Sequence, residues 1–444
     1  MTQPRQAVVL AAGQGTRLRT LARVKPLHIV AGLPLLERSI RTLQQCGIDD
    51  ITIVTGHAHA AIENWLQSSA YQARLIHNPN WNTAENGASL LAAAPYIKGP
   101  FLLLMADHVY VPELIASLCS TSSWAPAVLA VDGQRSRHDI DLGDVTRVRL
   151  MDGLITQIGK GLPEYDGFDT GAFLCQPEVF ARLEACLARG HTRITDLMQE
   201  LADEGRLQGH RVDGLYWQDV DTPEAHALAE TALLAWAAGK SSDGLVARQL
   251  NRPVSRWFTR YFIAHNFTPN QVSLLAFGIA CIATLCMAAG PYWLLAAGGL
   301  LVQLASVVDG CDGELARLRL APSDYGGWFD ALLDRYADGL VLTAMTWHLM
   351  QRWNQPAWMW LGIAAIAGSF VASYSAHKAD RALPASRWRM GRDTRSLLLM
   401  LGALLNLPAL TLALIAVIMN ITVVHRMFRL RKHQYAMPHD PVKS

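Results

Sequence analysis

The chain has 444 residues, 51% of them hydrophobic and 17% charged, with a net charge of +2. That length is too great for one ordinary domain, and two are expected. The 7 cysteines are odd in number, scattered and without any CxxC, which argues against a disulfide framework and favours reduced thiols on a cytoplasmic face.

Composition divides the chain. Residues before 240 mix charged and apolar types like a soluble α/β protein, whereas Leu, Ala, Val, Ile, Trp and Met dominate after 268. Ala7–Ala12 (AVVLAA) has the character of a buried parallel strand, and no signal peptide is expected. Gly13-Gln14-Gly15-Thr16-Arg17 follows, and a glycine-rich turn after a first strand presents backbone N–H groups to phosphate. Arg17 and Lys25 lie at a distance suited to gripping a triphosphate. A helix at Leu35–Gln45 and a strand at Asp50–Thr55 give βαβ order, which predicts a doubly wound, Rossmann-like sheet. For Asn86-Gly87-Ala88-Ser89 two readings stay open: contact with a base or ribose, or a helix N-terminus capped by Asn86. Phe101–Met105 is another buried strand, ending near Asp107, where such sheets place their ligand chemistry. A strand-end turn would also explain Asp107; the acids of Trp217–Pro223 (WQDVDTP) tilt the balance towards a ligand site.

Residues 238–268 read as a small polar linker followed by an interfacial helix. Arg248, Arg252, Arg256 and Arg260 recur every four residues along one side, with Trp257, Phe258, Tyr261 and Phe262 largely on another. Pro253 should divide this segment into two short pieces. Packing on the soluble domain is the alternative to lying on an anionic leaflet. Spans of ~20 apolar residues are expected at 271–290, 292–309, 327–350, 357–377, 395–406 and 408–427, the fifth being short. Connections after the second, fourth and sixth carry Arg317, Arg319, Lys378, Arg381, Arg387, Arg389, Arg392, Arg395, Arg426, Arg429, Arg431 and Lys432. The positive-inside rule then places both termini, the N-terminal domain and both active sites in the cytoplasm.

Between the second and third expected spans lies DGCDGELARLRLAPSDYGGWFDALLD, from Asp309 to Asp334. Each acid costs roughly 2.5–3.5 kcal/mol inside a bilayer, so the group needs a compensating partner. Asp309 and Asp312 are three apart and Asp330 and Asp334 four apart, so each pair shares a helix face. Two such faces meeting would form an oxygen-rich site suited to Mg²⁺ or Mn²⁺. Gly313 and Gly326 leave room for close approach, and Arg317 could reach a phosphate.

The spacing D-x2-D-G-x2-A-R-x8-G-x3-D-x3-D resembles the signature of the CDP-alcohol phosphotransferases. That resemblance implies two metals held by Asp309, Asp312, Asp330 and Asp334, a CDP-linked donor near Gly313, Ala316 and Arg317, and Asp334 as base. Thr268-Pro269-Asn270 resembles that family's start of the first span, bringing Asn270 near the nucleotide. Arg392 and Arg395 resemble the wall of its acceptor-phosphate pocket, with positive-inside anchoring as the other explanation; Lys378 and Arg387 are weaker candidates. LAAGxGTR (Leu10, Ala11, Gly13, Gly15, Arg17) and KPL (Lys25) resemble the nucleotidyltransferases that join a nucleoside triphosphate to a sugar-like phosphate. Lys25 and Arg17 would then be catalytic, Asn86 and Ser89 would face the nucleotide, and Asp107 and Asp221 would hold one Mg²⁺. Lys160 would face the acceptor phosphate and Asp169 its hydroxyls. MADHVY, DTGAF and WQDVDTP look most like the inositol-1-phosphate cytidylyltransferases, and Leu33 departs from the Lys or Arg of many hexose-phosphate enzymes.

The expected architecture is therefore an α/β nucleotidyltransferase domain (1–237), a linker and juxtamembrane helix (238–268), and an all-α six-helix membrane domain (269–444). Taken together the halves resemble bifunctional enzymes that make CDP-inositol and then transfer phospho-inositol. The expected substrates are CTP, a polyol phosphate and a CDP-alcohol, with membrane lipid around the second half, no nucleic acid, and a homodimer through the membrane helices. Two competing readings are a phospholipid synthase with a diacylglycerol-derived donor or acceptor, and a transporter with an acidic pore.

Overall fold

The computed structural model describes residues 4–18, 23–83, 85–123, 125–137, 140–239, 244, 246–379 and 391–436. The chain divides into two compact units, Met1–Leu233 and Leu234–Ser444.

The strands of the first unit are β1 (Gln6–Ala11), β2 (Ile29–Val30), β3 (Leu33–Pro34), β4 (Asp50–Thr55), β5 (Arg74–His77), β6 (Phe101–Met105), β7 (His108–Tyr110), β8 (Ala127–Asp132), β9 (Thr146–Met151), β10 (Leu154–Lys160), β11 (Gly167–Cys175), β12 (Leu207–Arg211) and β13 (Trp217–Asp219). Helices α1 (Leu35–Gln45), α2 (His59–Ser68), α3 (Asn86–Leu91), α4 (Pro112–Cys119), α5 (Val179–Ala188) and α6 (Ile194–Asp203) accompany them, and α7 (Pro223–Ala238) begins in the first unit and ends in the second, to which its last residues, Leu234–Ala238, belong. A nine-stranded sheet runs β5-β4-β1-β6-β11-β8-β12-β10-β9. The expected parallel order holds over β5-β4-β1-β6, and β11 then runs antiparallel to both β6 and β8. Ala7, Val8, Val9 and Phe101–Leu104 are wholly buried, as strands covered on both faces must be. The carboxyl ends of β1 and β6 lie side by side, where the Ala106 N–H donates to the Leu10 carbonyl at 3.0 Å. β7 pairs antiparallel with β13, which sets Asp219 opposite His108.

In the second unit a π-helical turn (Ala247–Asn251) precedes α8 (Arg252–Ala264), so the juxtamembrane segment is in two pieces with Pro253 in the first turn of the second. α9 (Pro269–Ala288), α10 (Tyr292–Leu318), α11 (Asp324–Trp353), α12 (Ala357–Ala379), α13 (Arg392–Leu404) and α14 (Pro408–Ala436) follow. A Thr268–Gln271 capping box starts α9, and Ser323 Oγ accepts from the Gly326 N–H at 3.0 Å to start α11. α9 packs on α10 and α11, α10 on α13, and α12 on α14. Gly299 allows α10 to approach α13: a Cβ there would stand 2.6 Å from Ala403 Cβ.

α9, α10, α12 and α14 are each long and apolar enough to cross a membrane. α11 carries Asp330, Asp334, Arg335 and Asp338, and α13 has only 13 residues. The second expected span ended at 309, but α10 continues to Leu318, so Asp309, Asp312, Gly313, Ala316 and Arg317 share one helix.

The arginine stripe of the juxtamembrane helix needs correcting. Arg252 turns inward and its guanidinium donates to Glu314 Oε1 at 2.8 Å. Glu314, wholly buried, also accepts from Ser255 Oγ at 2.5 Å and Thr259 Oγ1 at 2.6 Å. A carboxylate buried in an apolar bundle demands such partners, and this demand overrides the surface periodicity. The aromatic set divides likewise: Trp257 and Tyr261 are exposed, while Phe258 and Phe262 pack in the bundle against Val308 and Leu315. Arg381, Arg387 and Arg389 lie outside the described residues, as do residues 240–243 of the linker and the side chains of Lys378 and Lys432.

In the first unit Asp132 is the corresponding buried acid. It accepts from Arg137 at 3.0 Å, from Trp217 Nε1 at 2.9 Å and from the Gln134 N–H at 3.0 Å. Asp132→Ala strands a buried guanidinium and an indole N–H, and should cost about 3–5 kcal/mol. Denaturant unfolding followed by tryptophan fluorescence measures the loss.

Candidate active sites in the two units

A cavity of about 220 Å³ opens at the carboxyl ends of β1 and β6, lined by Leu10, Ala11, Gly13, Gly15, Arg17, Lys25, Asp107 and Asp221 among others. These residues, expected to serve the nucleotide, thus come together. Gly15 has φ +60°, and a Cβ there would sit 2.6 Å from Lys25 Cβ, so glycine lets the loop pass close to the lysine. Lys25 is 8% exposed. Its ammonium lies 2.7 Å from Asp107 and 3.7 Å from Asp219, and it contacts Asp221. Arg17 also pairs with Asp221, and with Asp144 at 2.8 Å.

Asp219 and His108 join Asp107 as candidate ligands beside the expected pair of Asp107 and Asp221. Ligand atoms of Asp107, His108 and Asp219 all lie within 4.8 Å of one another. Asp221, the acid expected beside Asp107, is engaged by Lys25 and Arg17. Asp219 Oδ1 is buried with no hydrogen-bond partner. Two carboxylates, a buried orphan oxygen and an adjacent imidazole fit a divalent cation. Burial pushes Asp107 up, but Lys25 and His108, which bonds it at 2.8 Å, outweigh burial and hold it well below the usual carboxylate range. Burial likewise pushes Asp219 up, and there the net shift is upward. Asp219 and His108 were legible as residues, but only the β7–β13 register brings them together.

A second cavity, about 410 Å³, adjoins the first and shares Arg17 and Asp221 with it. Lys160 and Asp169 line it as expected, together with His108 and Asp144. Lys160 donates to Asp144 at 2.5 Å, so Asp144, missed in the sequence, holds both Arg17 and Lys160. Asn86 lines this second cavity and not the glycine-loop cavity; it is the first residue of α3, with no capping role, and its Oδ1 accepts from the Ile194 N–H at 2.9 Å. Ser89 lines neither cavity, being buried against Asn78, whose amide donates to it at 3.0 Å.

In the second unit, ligand oxygens of Asp309, Asp330 and Asp334 lie within 4.8 Å of one another. Arg392 reaches across from α13 to pair with Asp309 and, at 2.5 Å, with Asp334. Asp330 Oδ1 is buried without a hydrogen-bond partner. Arg335 also lies 3.4 Å from Asp334 but is shared with Asp338, so the carboxylates still outnumber the guanidiniums, and the all-oxygen donor set fits Mg²⁺ or Mn²⁺. The fourth aspartate, Asp312, stands beside Asp330 and also accepts from Ser273 Oγ at 2.5 Å and from the Gly313 N–H. Arg395 does not face the cluster; it is buried against Asp338 at 2.9 Å and Ser369. Arg317 donates to the Ala237 carbonyl at 2.6 Å, and its other nitrogens approach Gly313. Ala316 is half-buried one residue before it. A Cβ on Gly326 would lie 3.4 Å from Asn270 Oδ1, so the glycine lets the start of α11 approach Asn270.

Asp169 provides a pH test. Burial raises its pKa from 3.8 to about 6. Between those values the folded state binds more protons than the unfolded state, so its contribution to stability falls as pH rises. Asp169→Asn should therefore stabilise the chain by about 1–3 kcal/mol at pH 7.5, with the gain vanishing near pH 4. Thermal unfolding across that range reads the effect; a gain independent of pH would contradict it.

Residues 7–212 match the family model for the MobA-like NTP transferase domain, and residues 266–428 that for CDP-alcohol phosphatidyltransferase. A curated relative from Rubrobacter xylanophilus, named bifunctional IPC transferase and DIPP synthase, is 39% identical over 96% of this chain and 96% of its own. One of the same name from Aquifex aeolicus is 34% identical over 94% of this chain and 96% of its own. The solved structure described as the inositol-1-phosphate CTP transferase from T. maritima is 22% identical, with a TM-score of 0.47, over 51% of this chain and 96% of that one. The resemblances read from the two motif sets are met, and the protein is a nucleotidyltransferase joined to a membrane-type CDP-alcohol phosphotransferase. The chain belongs to the family of bifunctional IPC transferases and DIPP synthases.

Proposed function

We propose that the first unit makes CDP-inositol from CTP and inositol 1-phosphate, and that the second transfers phospho-inositol from it to an alcohol, inositol 1-phosphate, releasing CMP. The observation that carries the reading is that each unit sets clustered carboxylates against a buried cation: Lys25 against Asp107, Asp219 and Asp221, and Arg392 against Asp309 and Asp334. The relatives' names, which state two activities, support it.

In the first centre Lys25, Arg17 and the N–H groups of the Gly13–Gly15 loop hold the triphosphate. Lys160 holds the acceptor phosphate beside it and Asp169 accepts from polyol hydroxyls. A phosphate oxygen of inositol 1-phosphate attacks the α-phosphorus in line; the bond to pyrophosphate breaks and pyrophosphate leaves. In the second centre Asp334 takes the proton of the acceptor hydroxyl, whose oxygen attacks the phosphorus bearing inositol; the bond to the CMP phosphate breaks. Asp107 and Asp221, with Asp219 beside them, and Asp309, Asp312, Asp330 and Asp334, are the residues that would hold Mg²⁺ or Mn²⁺. Such a cation neutralises phosphate charge and stabilises the leaving oxygen.

Residues 1–237 form the cytidylyltransferase, 238–268 the linker and juxtamembrane helix, and 269–444 a six-pass membrane domain with its aspartates at the cytoplasmic surface. That arrangement is supported by the basic residues at the C-terminal end of α10 (Arg317, Arg319) and in the last turns of α14 (Arg426, Arg429, Arg431, Lys432). The membrane helices also carry the homodimer contact in this reading.

Asp107→Asn should lower pyrophosphate release from CTP at least about a hundredfold and spare CMP release from supplied CDP-inositol; Asp334→Asn should do the reverse. Phosphorus NMR follows both products, and parallel loss in each variant would refute two independent centres. Chelation by EDTA should stop both reactions and added Mg²⁺ or Mn²⁺ restore them; CMP release that survives chelation would remove the metal role in the second centre.

A further inference from the structure

We propose that Asn251, in the juxtamembrane turn, is a positioning residue for the phosphotransferase centre, setting Arg392 against Asp309 and Asp334 by gripping Asp393. The inference rests on the reading above that the second unit releases CMP from CDP-inositol. Asn251 is 4% exposed. Its Nδ2 donates to Asp393 Oδ1 at 2.6 Å, and its Oδ1 accepts from Gln303 Nε2 at 2.7 Å. Ser306 Oγ donates to the same Asp393 oxygen at 3.3 Å.

The positions of these partners give the network its meaning. Gln303, Ser306 and Asp309 follow one another at intervals of three on α10, and so share one face of that helix. Asp393 stands beside Arg392 in the first turn of α13. The Asn251 amide therefore fastens the start of α13 to the α10 face that ends in Asp309. Arg252, the next residue, pairs with Glu314 at 2.8 Å, beyond Asp312 on the same helix. Two consecutive residues thus hold α10 on either side of its metal acids, one of them also holding the helix that carries Arg392. An amide suits position 251 because it can donate to a carboxylate and accept from a second amide at once. Without it Asp393, half-buried, keeps among the described residues only the longer bond from Ser306, and a carboxylate so placed draws its turn towards water. Arg392 moves with that turn.

A charge-swap pair tests this on the full chain in detergent, with CDP-inositol and inositol 1-phosphate as substrates. Asn251→Asp sets two carboxylates face to face and should lower kcat for CMP release about tenfold or more, while KM for CDP-inositol changes less than about threefold. Pyrophosphate release from CTP should be unchanged. The double variant Asn251→Asp, Asp393→Asn restores a donor facing an acceptor, and should return kcat to within about threefold of wild type. A wild-type kcat in the single variant, or a folded double variant as slow as the single one, overturns the inference. If the single variant does not survive solubilisation, the kcat of the double variant alone decides in the same way. Absence of CMP release from the wild-type chain is a separate outcome: it removes the functional reading, and this inference with it.

Discussion

Negative charge gathered inside an apolar helical bundle is the constraint on which the second unit depends. Asp309, Asp330 and Asp334 bring ligand oxygens within 4.8 Å of one another, and Arg392 is the cation that reaches two of them. Carboxylates this close repel strongly away from water, and Arg392 together with Arg335, which Asp334 shares with Asp338, does not balance them. The arrangement is tolerable when a divalent cation completes it, which ties stability of the site to its chemistry. Helix geometry follows from the same demand. α10 and α11 each present acids one turn apart, and α13 brings Arg392 across to them. Glu314 shows the contrasting solution: a single buried acid given three hydrogen-bond donors has no charge left to attract a metal.

The first unit reaches a similar balance on a sheet. Parallel strands β1 and β6 end together, so a glycine loop, Lys25 and Asp107 share one edge. Antiparallel pairing of β7 with β13 then brings Asp219 to Asp107. Lys25 is buried among three acids, which fix it where a triphosphate would need it. Joining the two units in one chain suits the proposed sequence of reactions, because the product of the first is the donor of the second and tethering raises its local supply.

Much of this was legible in the sequence because the signals are local. The AVVLAA strand with its glycine turn, and acids at intervals of three and four in Asp309–Asp334, need only a period to be read. What the sequence hid depends on partners distant along the chain. WQDVDTP offers two acids, and it takes the strand register with His108 to bring Asp219, as well as Asp221, into the group around Asp107 and Lys25. Arg252 looked like one of four surface arginines, yet Glu314, far along the chain, draws it inward. Asn86 and Ser89 sit in a segment suited to a nucleotide, but their side chains serve Ile194 and Asn78. Asp312 belongs to the aspartate motif, but its bond from Ser273 on the neighbouring helix joins residues distant along the chain.

The most direct measurement is anomalous scattering from Mn²⁺ in crystals of the full chain grown with the cation. A peak within coordination distance of Asp309, Asp330 and Asp334, with Arg392 displaced from at least one of them, is the predicted result. An empty cluster at saturating Mn²⁺, with Arg392 still bridging Asp309 and Asp334, would mean that the guanidinium alone balances these acids, and the metal-dependent phosphotransferase centre would not stand.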